Sequence, residues 1–209
     1  EVNHRIKAFQ EKPSREEAIS KLANTGIYLF KPGIFDYIPE DTFFDFARDV
    51  FPRILEEKAF LAGYEMDGYW CDVGNLVAYR QAHRDMLREI VRVSFPARRI
   101  DGDIYAGDNV YIHPGAKLQG PLFIGKNCSI ERGAELYGPV SVGSGSRIGE
   151  DASIKSSILW DNVYVGACSS LHDVIIGSGH SLPPGIRLEG EVRESACLPC
   201  YLEETAGRL

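Results

Sequence analysis

Residues 112–154 read IHPGAK-LQGPLF-IGKNCS-IERGAE-LYGPVS-VGSGSR-IGEDAS-I, an aliphatic residue returning every six positions at Ile112, Leu118, Ile124, Ile130, Leu136, Val142, Ile148 and Ile154. A helix repeats at about 3.6 residues and a strand at 2, so this period marks a repeat architecture. The fourth residue of each hexad is a turn former: Gly115, Pro121, Asn127, Gly133, Pro139, Gly145 and Asp151. Gly, Asn and Asp tolerate positive φ, and Pro fixes φ. The next position is small or aliphatic, as in Ala116, Leu122, Cys128, Ala134, Val140, Ser146 and Ala152. Each hexad is thus a short strand with one large inward residue, a corner, and a small residue beside it. Stacked coils bury those columns in one core.

Outward from this stretch the repeat continues with two slips. Ile154 to Leu159 is five residues, Val165 and Leu171 keep step, Leu171 to Ile176 is five again, and Leu182 and Leu188 follow. The pattern resembles the left-handed parallel β-helix, three hexads to a coil, with roughly four coils over 112–188. Beyond Leu188 it dissolves, and an irregular tail is expected over 191–209.

The chain has 209 residues, 44% hydrophobic and 25% charged, with a net charge of −7. That balance argues against nucleic acid as the main partner, since no basic stripe with interleaved aromatics is present. No run of eighteen apolar residues and no signal-peptide layout occur, so no membrane partner is expected and a cytoplasmic location is. Glu1 in place of Met suggests a processed product or a fragment. Five scattered cysteines suit a reducing compartment. Cys128 and Cys168 read as small core residues beside inward columns. The pair Cys197 and Cys200 lacks the two further ligands of a zinc site and the strand–helix setting of a redox motif.

The front half alternates strand-like and helical patterns. Ile6–Gln10, Thr25–Phe30, 59–65 and 68–73 read as strands. Ser14 caps a short helix over about 14–23, and 45–58 is helical with Pro52 opening a second helix. Asn75 caps a longer helix with an apolar face of Leu76, Tyr79, His83, Met86, Leu87 and Ile90. The expected fold is α/β plus all-β: a partial Rossmann-like domain over 1–92, a linker over 93–103, and a left-handed β-helix over 104–190.

Strand ends in α/β sheets are where ligands usually lie. Lys12 can bind a phosphate as a point charge, and Glu11 can accept hydrogen bonds from sugar hydroxyls, or both belong to a solvated turn. Asn24 and Gly26 offer a side-chain amide and a close backbone approach, or an ordinary turn. Asp72, just before the Gly74-Asn75 helix start, can ligate Mg²⁺ or cap the helix.

In combination these segments carry a resemblance. Phe9-Gln10-Glu11-Lys12-Pro13, then Asn24-Thr25-Gly26-Ile27-Tyr28-Leu29-Phe30, then Asp49-Val50-Phe51-Pro52, then Gly68-Tyr69-Trp70-Cys71-Asp72-Val73-Gly74 resemble the later half of sugar-1-phosphate nucleotidyltransferases. Gly68–His83 is most similar to the mannose-1-phosphate guanylyltransferase branch, including forms fused to a phosphomannomutase. The resemblance implies an enzyme that forms a nucleotide sugar, most closely GDP-mannose, with release of pyrophosphate. It implies that Lys12 contacts the sugar phosphate, Glu11 its hydroxyls, and Asn24 and the backbone at Gly26 the sugar. Asp72 is then one of two aspartates on the catalytic Mg²⁺, and Lys12 and Asp72 are the catalytic pair. In-line positioning and charge neutralisation suffice for this chemistry.

The family's Gly-x-Gly-Thr-Arg loop and its other metal-binding Asp are absent from this sequence. The nucleoside triphosphate site is therefore expected mostly outside it, and the chain alone is expected to be inactive. Two other functions fit part of the chain. Acyl transfer at a subunit interface could use His113, His172 or His180 as base, although 112–154 carries no inserted loop. A non-catalytic assembly or regulatory module describes 104–188 but not 2–80. The flat ends of a β-helix lead to an expected homo-oligomer, a dimer or trimer built through it.

Overall fold

The structure, a computed structural model, describes residues 4–10 and 13–194. By internal contacts the chain divides into two compact units between Asp72 and Val73. The helix over Leu76–Leu87 falls in the second unit, although its sequence pattern reads as the close of 1–92.

The second unit is a three-sided parallel β-helix. One sheet runs Ile104–Ala106, Leu122–Ile124, Val140–Val142, Ile158–Leu159, Ile175–Ile176 and Val192–Arg193, with Arg98–Asp101 added antiparallel at its edge. The other two sheets have five strands each, from Tyr111–Ile112 to Ser181–Leu182 and from Lys117–Gln119 to Arg187–Glu189. The coil count is about five, one more than the repeat suggests, because Ile104–Ala106 already occupies the first face.

Register reproduces the slips. Leu118 pairs with Leu136 and Leu136 with Ile154, eighteen residues apart. Ile154 then pairs with Leu171 and Leu171 with Leu188, seventeen apart. The shorter coils turn one corner through a single positive-φ residue, Ser156 at +50° and Asp173 at +52°, where the longer coils use Gly120-Pro121 and Gly138-Pro139. Asn127, Gly133, Gly145 and Asp151 are also left-handed, as their turn chemistry implies.

The inward column is dry: Ile124, Ile130, Leu136, Val142 and Ile148 are all 0% exposed. Ile112 and Leu118, in the first coil, are only partly buried against that core. Cys128 sits in the core, whereas Cys168 is an exposed corner residue at φ +57°. A corner needs φ > 0 more than it needs a small side chain, and Cys168 meets that need off the inward column. Buried Ser146 is satisfied twice, donating to the Trp160 carbonyl at 3.1 Å and accepting from Val163 N–H at 3.0 Å.

One face of the coil is apolar on its outer side too. Tyr105, Phe123, Ser141, Ile158, Ile175 and Val192 follow one another in register across the first sheet. Helix Leu76–Leu87, here α1, lies on this face, capped by Asn75 Oδ1 accepting from Ala78 N–H at 2.9 Å. Its Leu87 is buried, but Leu76 and Ile90 are exposed, so the apolar stripe read from sequence packs only in its middle. His83 Nδ1 lies 3.3 Å from Ser141 Oγ, and Trp160 Nε1–H donates to Tyr79 Oη at 3.0 Å. Burial pushes the His83 imidazole below its ordinary pKa and the Tyr79 phenol above its own.

The first unit gathers round Val50, Phe51 and Ile54, with Phe9, Phe30 and Phe46 packed against them. Asp45 caps the helical stretch by accepting from Ala47 N–H at 2.8 Å and Arg48 N–H at 2.9 Å. The chain then runs as a π-helical turn Phe46–Val50 into a short α-helix, Phe51–Glu56, with Pro52 in its first turn as expected. The segments read as strands form no strand of a sheet. Among the described residues of this unit the one ladder contact is the antiparallel bridge between Arg5 and Ala62. Propensity favours extended backbone, but a sheet needs neighbours at about 4.8 Å. The helix expected over 14–23 is a single turn, closed by Ser14 Oγ donating to Glu17 Oε2 at 2.7 Å. Ile19 and Leu22 are largely exposed, and so short a helix does not persist without packing.

Candidate functional site

Asn24, a candidate sugar-binding residue from sequence, lies at the centre of a hydrogen-bonded turn in the first unit. Its Oδ1 accepts from Gly26 N–H at 3.0 Å, closing a turn, and its Nδ2 donates to Tyr28 Oη at 2.6 Å. The Tyr28 ring packs edge-on to Phe51, centroids 5.1 Å apart, and stacks on Phe30 at 5.6 Å. The aromatic core thus sets where the amide points. From the other side Trp70 Nε1–H donates to the Thr25 carbonyl at 3.1 Å. This bond ties the Gly68–Asp72 run to the Asn24–Gly26 turn across 45 residues. Tyr28 and Trp70 were not singled out as site residues from sequence. Tyr28 carries a signal in its alternation with Phe30, whose ring it stacks on, whereas nothing local marks Trp70.

Gly26 has φ +75°, and a Cβ there would meet nothing within 4 Å. Its requirement is conformational rather than steric, because an L side chain disfavours that φ. Its N–H is already given to Asn24, so Gly26 closes the turn and that donor is not open to a ligand. Asn24 keeps one Nδ2 proton for a ligand.

Gln10 is clasped just before the Glu11-Lys12 pair. Its Nε2 donates to the Glu17 carbonyl at 3.1 Å, and its Oε1 accepts from Ile19 N–H at 2.9 Å. Hydrogen bonds from Ser14 hold the Glu17 carboxyl below its ordinary pKa. Glu11 and Lys12 themselves lie outside the described residues, as do Cys197 and Cys200.

Asp72 is exposed at the end of the run that Trp70 anchors. Among the described residues no group of three or more His, Cys, Asp or Glu could hold a metal ion. Mg²⁺ usually keeps several waters and takes about one or two carboxylates together with substrate phosphates. Asp72 therefore fits as one such carboxylate and does not form a metal site alone.

The three histidines of the repeat do not converge. His113 Nδ1 accepts from Gly115 N–H at 2.9 Å, His172 Nδ1 lies 3.3 Å from Glu189 Oε1, and His180 Nδ1 lies 3.1 Å from the Gly177 carbonyl oxygen. Each is engaged near its own corner. Among the described residues no helix is long and apolar enough to cross a membrane.

Residues 1–89 match the family model described as nucleotidyl transferase. A UTP–glucose-1-phosphate uridylyltransferase of Synechocystis sp. is 41% identical over 109 residues, 52% of this chain and 28% of that protein. A glucose-1-phosphate adenylyltransferase of Desulfitobacterium hafniense strain Y51 is 30% identical over 204 residues, 91% of this chain and 48% of that protein. One from Bacillus subtilis is 39% identical over 90 residues, 40% of this chain and 23% of its own length. The chain thus spans less than half the length of each of these relatives.

Proposed function

We propose that this chain, whose residues 1–89 match the nucleotidyl transferase family model, is the sugar-phosphate-binding part of an enzyme of the sugar-1-phosphate nucleotidyltransferase family, one that joins a nucleoside triphosphate to a hexose 1-phosphate. A phosphate oxygen of the sugar phosphate attacks the α-phosphorus, and pyrophosphate leaves. The observation that carries the reading is the Asn24–Gly26 turn, fixed to the aromatic core through Tyr28 and to the Asp72 segment through Trp70.

Each residue has a task in that chemistry. Asn24 donates its remaining Nδ2 proton to a sugar hydroxyl. Glu11 accepts from another hydroxyl. Lys12 offsets the charge of the sugar phosphate and holds it in line, and positioning of this kind removes much of the entropic barrier. Asp72 supplies one carboxylate to Mg²⁺, which when bound neutralises charge developing on the phosphates.

Two leads bear on the substrates. Gly68–His83 is similar to guanylyltransferases acting on mannose 1-phosphate. The relatives are named for glucose 1-phosphate, with UTP in one and adenylyl transfer in others. We take glucose 1-phosphate as the first sugar to test and mannose 1-phosphate as the second.

The test is calorimetric titration of the purified chain with each sugar phosphate. Binding of either one, weakened at least about tenfold (about 1.4 kcal/mol) by Asn24→Ala, supports the reading. A folded chain that binds neither overturns it.

A further inference from the structure

The apolar outer column of the first sheet is interrupted. Between Phe123 and Ile158 stands Ser141, and two residues on is Gly143, so the face carries a gap where its neighbours carry bulk. The gap opens into a cleft of about 360 Å³ that lies wholly within the β-helix unit. That volume is in the range of small-molecule pockets, roughly 300–1,000 Å³. Phe95 and Phe123 form one wall, their centroids 5.7 Å apart, and Trp160 contributes another. Leu87 and Met86 close the back, and His83 and Ser141 present polar atoms at the floor.

Charge is nearly absent from the lining. Among the described residues that line it, Asp161 is the one carboxylate, and its Oδ1 already accepts from Ser144 N–H at 2.6 Å. The imidazole is kept toward its neutral form by burial. Aromatic walls reward ring faces, because stacked rings attract one another beyond what their buried area supplies. A floor hydroxyl and a neutral imidazole reward a single hydrogen-bonding edge.

We propose that this cleft is a binding site for an uncharged planar ring of one or two fused cycles, packed on Phe123 and Trp160 and hydrogen-bonded at Ser141. The site is independent of the sugar-phosphate reading, since every residue lining it is in the β-helix unit.

Titration of the full ¹⁵N-labelled chain with indole tests it, with cyclohexylmethanol and benzoate as comparison probes. Indole is expected to shift the Trp160 indole N–H and Gly143 amide resonances saturably. The single variants Trp160→Leu and Phe123→Leu, each checked for folding by circular dichroism, are expected to weaken that response at least fivefold. Absence of saturation with indole overturns the proposal. An equal response to cyclohexylmethanol overturns the planar-ring requirement, and an equal response to benzoate overturns the neutral one. Retention of indole binding in both folded variants places the ring elsewhere and likewise overturns it.

Discussion

Arg80 meets Asp173 twice. Its Nη2 donates to the Asp173 carbonyl at 2.9 Å, while its Nε sits 3.3 Å from Asp173 Oδ1, close enough for an ion pair but not aligned for a hydrogen bond. Arg84 adds a contact at 3.4 Å to the same oxygen. Asp173 is also the positive-φ corner of a seventeen-residue coil. One residue therefore shortens the coil and anchors α1 to its face.

Asp173→Ala removes both roles, and Asp173→Gly removes only the carboxylate. Charge-assisted bonds contribute about 1.5–3 kcal/mol, reduced here by partial exposure. Asp173→Ala is expected to lower stability by about 1–2 kcal/mol, and Asp173→Gly by less. Denaturant unfolding followed by circular dichroism measures both. Equal losses would show that the corner conformation contributes nothing.

The His83 imidazole has its folded pKa lowered by burial, from an ordinary value near 6.5. The unfolded chain binds the proton more readily, so the contribution is full above about pH 6.5 and is lost as pH falls through the folded value. The melting temperature is expected to drop on acidification below pH 6.5. His83→Gln should flatten that slope. An unchanged slope in the variant would assign it to other groups.

Gly143→Ala drives a Cβ into the carbonyl carbon of Trp160 and to 2.6 Å from Asp161 N, both backbone atoms. Neither can move without the coil, so the expected loss is at least about 1–3 kcal/mol. Gly179→Ala meets nothing within 4 Å at φ +76° and is expected to lose only about 1 kcal/mol, from conformation. Thermal melts of the two variants should rank in that order.

For an active protein that contains these residues, Asp72→Asn is expected to reduce kcat by about 10²–10³, the scale of losing one electrostatic stabiliser. The KM for sugar 1-phosphate should change little. Near-normal turnover would reduce Asp72 to a part of the loop before α1.

A homo-oligomer is expected from the first coil, where Ile112 and Leu118 are less covered than their counterparts deeper in the stack. Burial of apolar surface contributes about 25 cal/mol per Å². Light scattering at micromolar concentration should return a dimer or trimer, and a monomer stable to dilution would contradict this.

The hexad column from Ile112 to Leu188 by itself determined the β-helix, most of its corners and its two slips, after Ile154 and after Leu171. Each of those features is set by contacts between residues one coil apart, so a periodic sequence spells them out. The outer column from Tyr105 to Val192, which α1 covers, does not stand out in the sequence, because Ser141 interrupts it and both its ends lie outside the hexad run. What only the tertiary structure decided was long-range. Trp70 reaches Thr25, His83 enters beside Ser141, Arg80 finds Asp173, and the segments of the first unit read as strands form no sheet. No local pattern encodes which distant group will accept a given N–H, because that choice depends on packing that brings the two together.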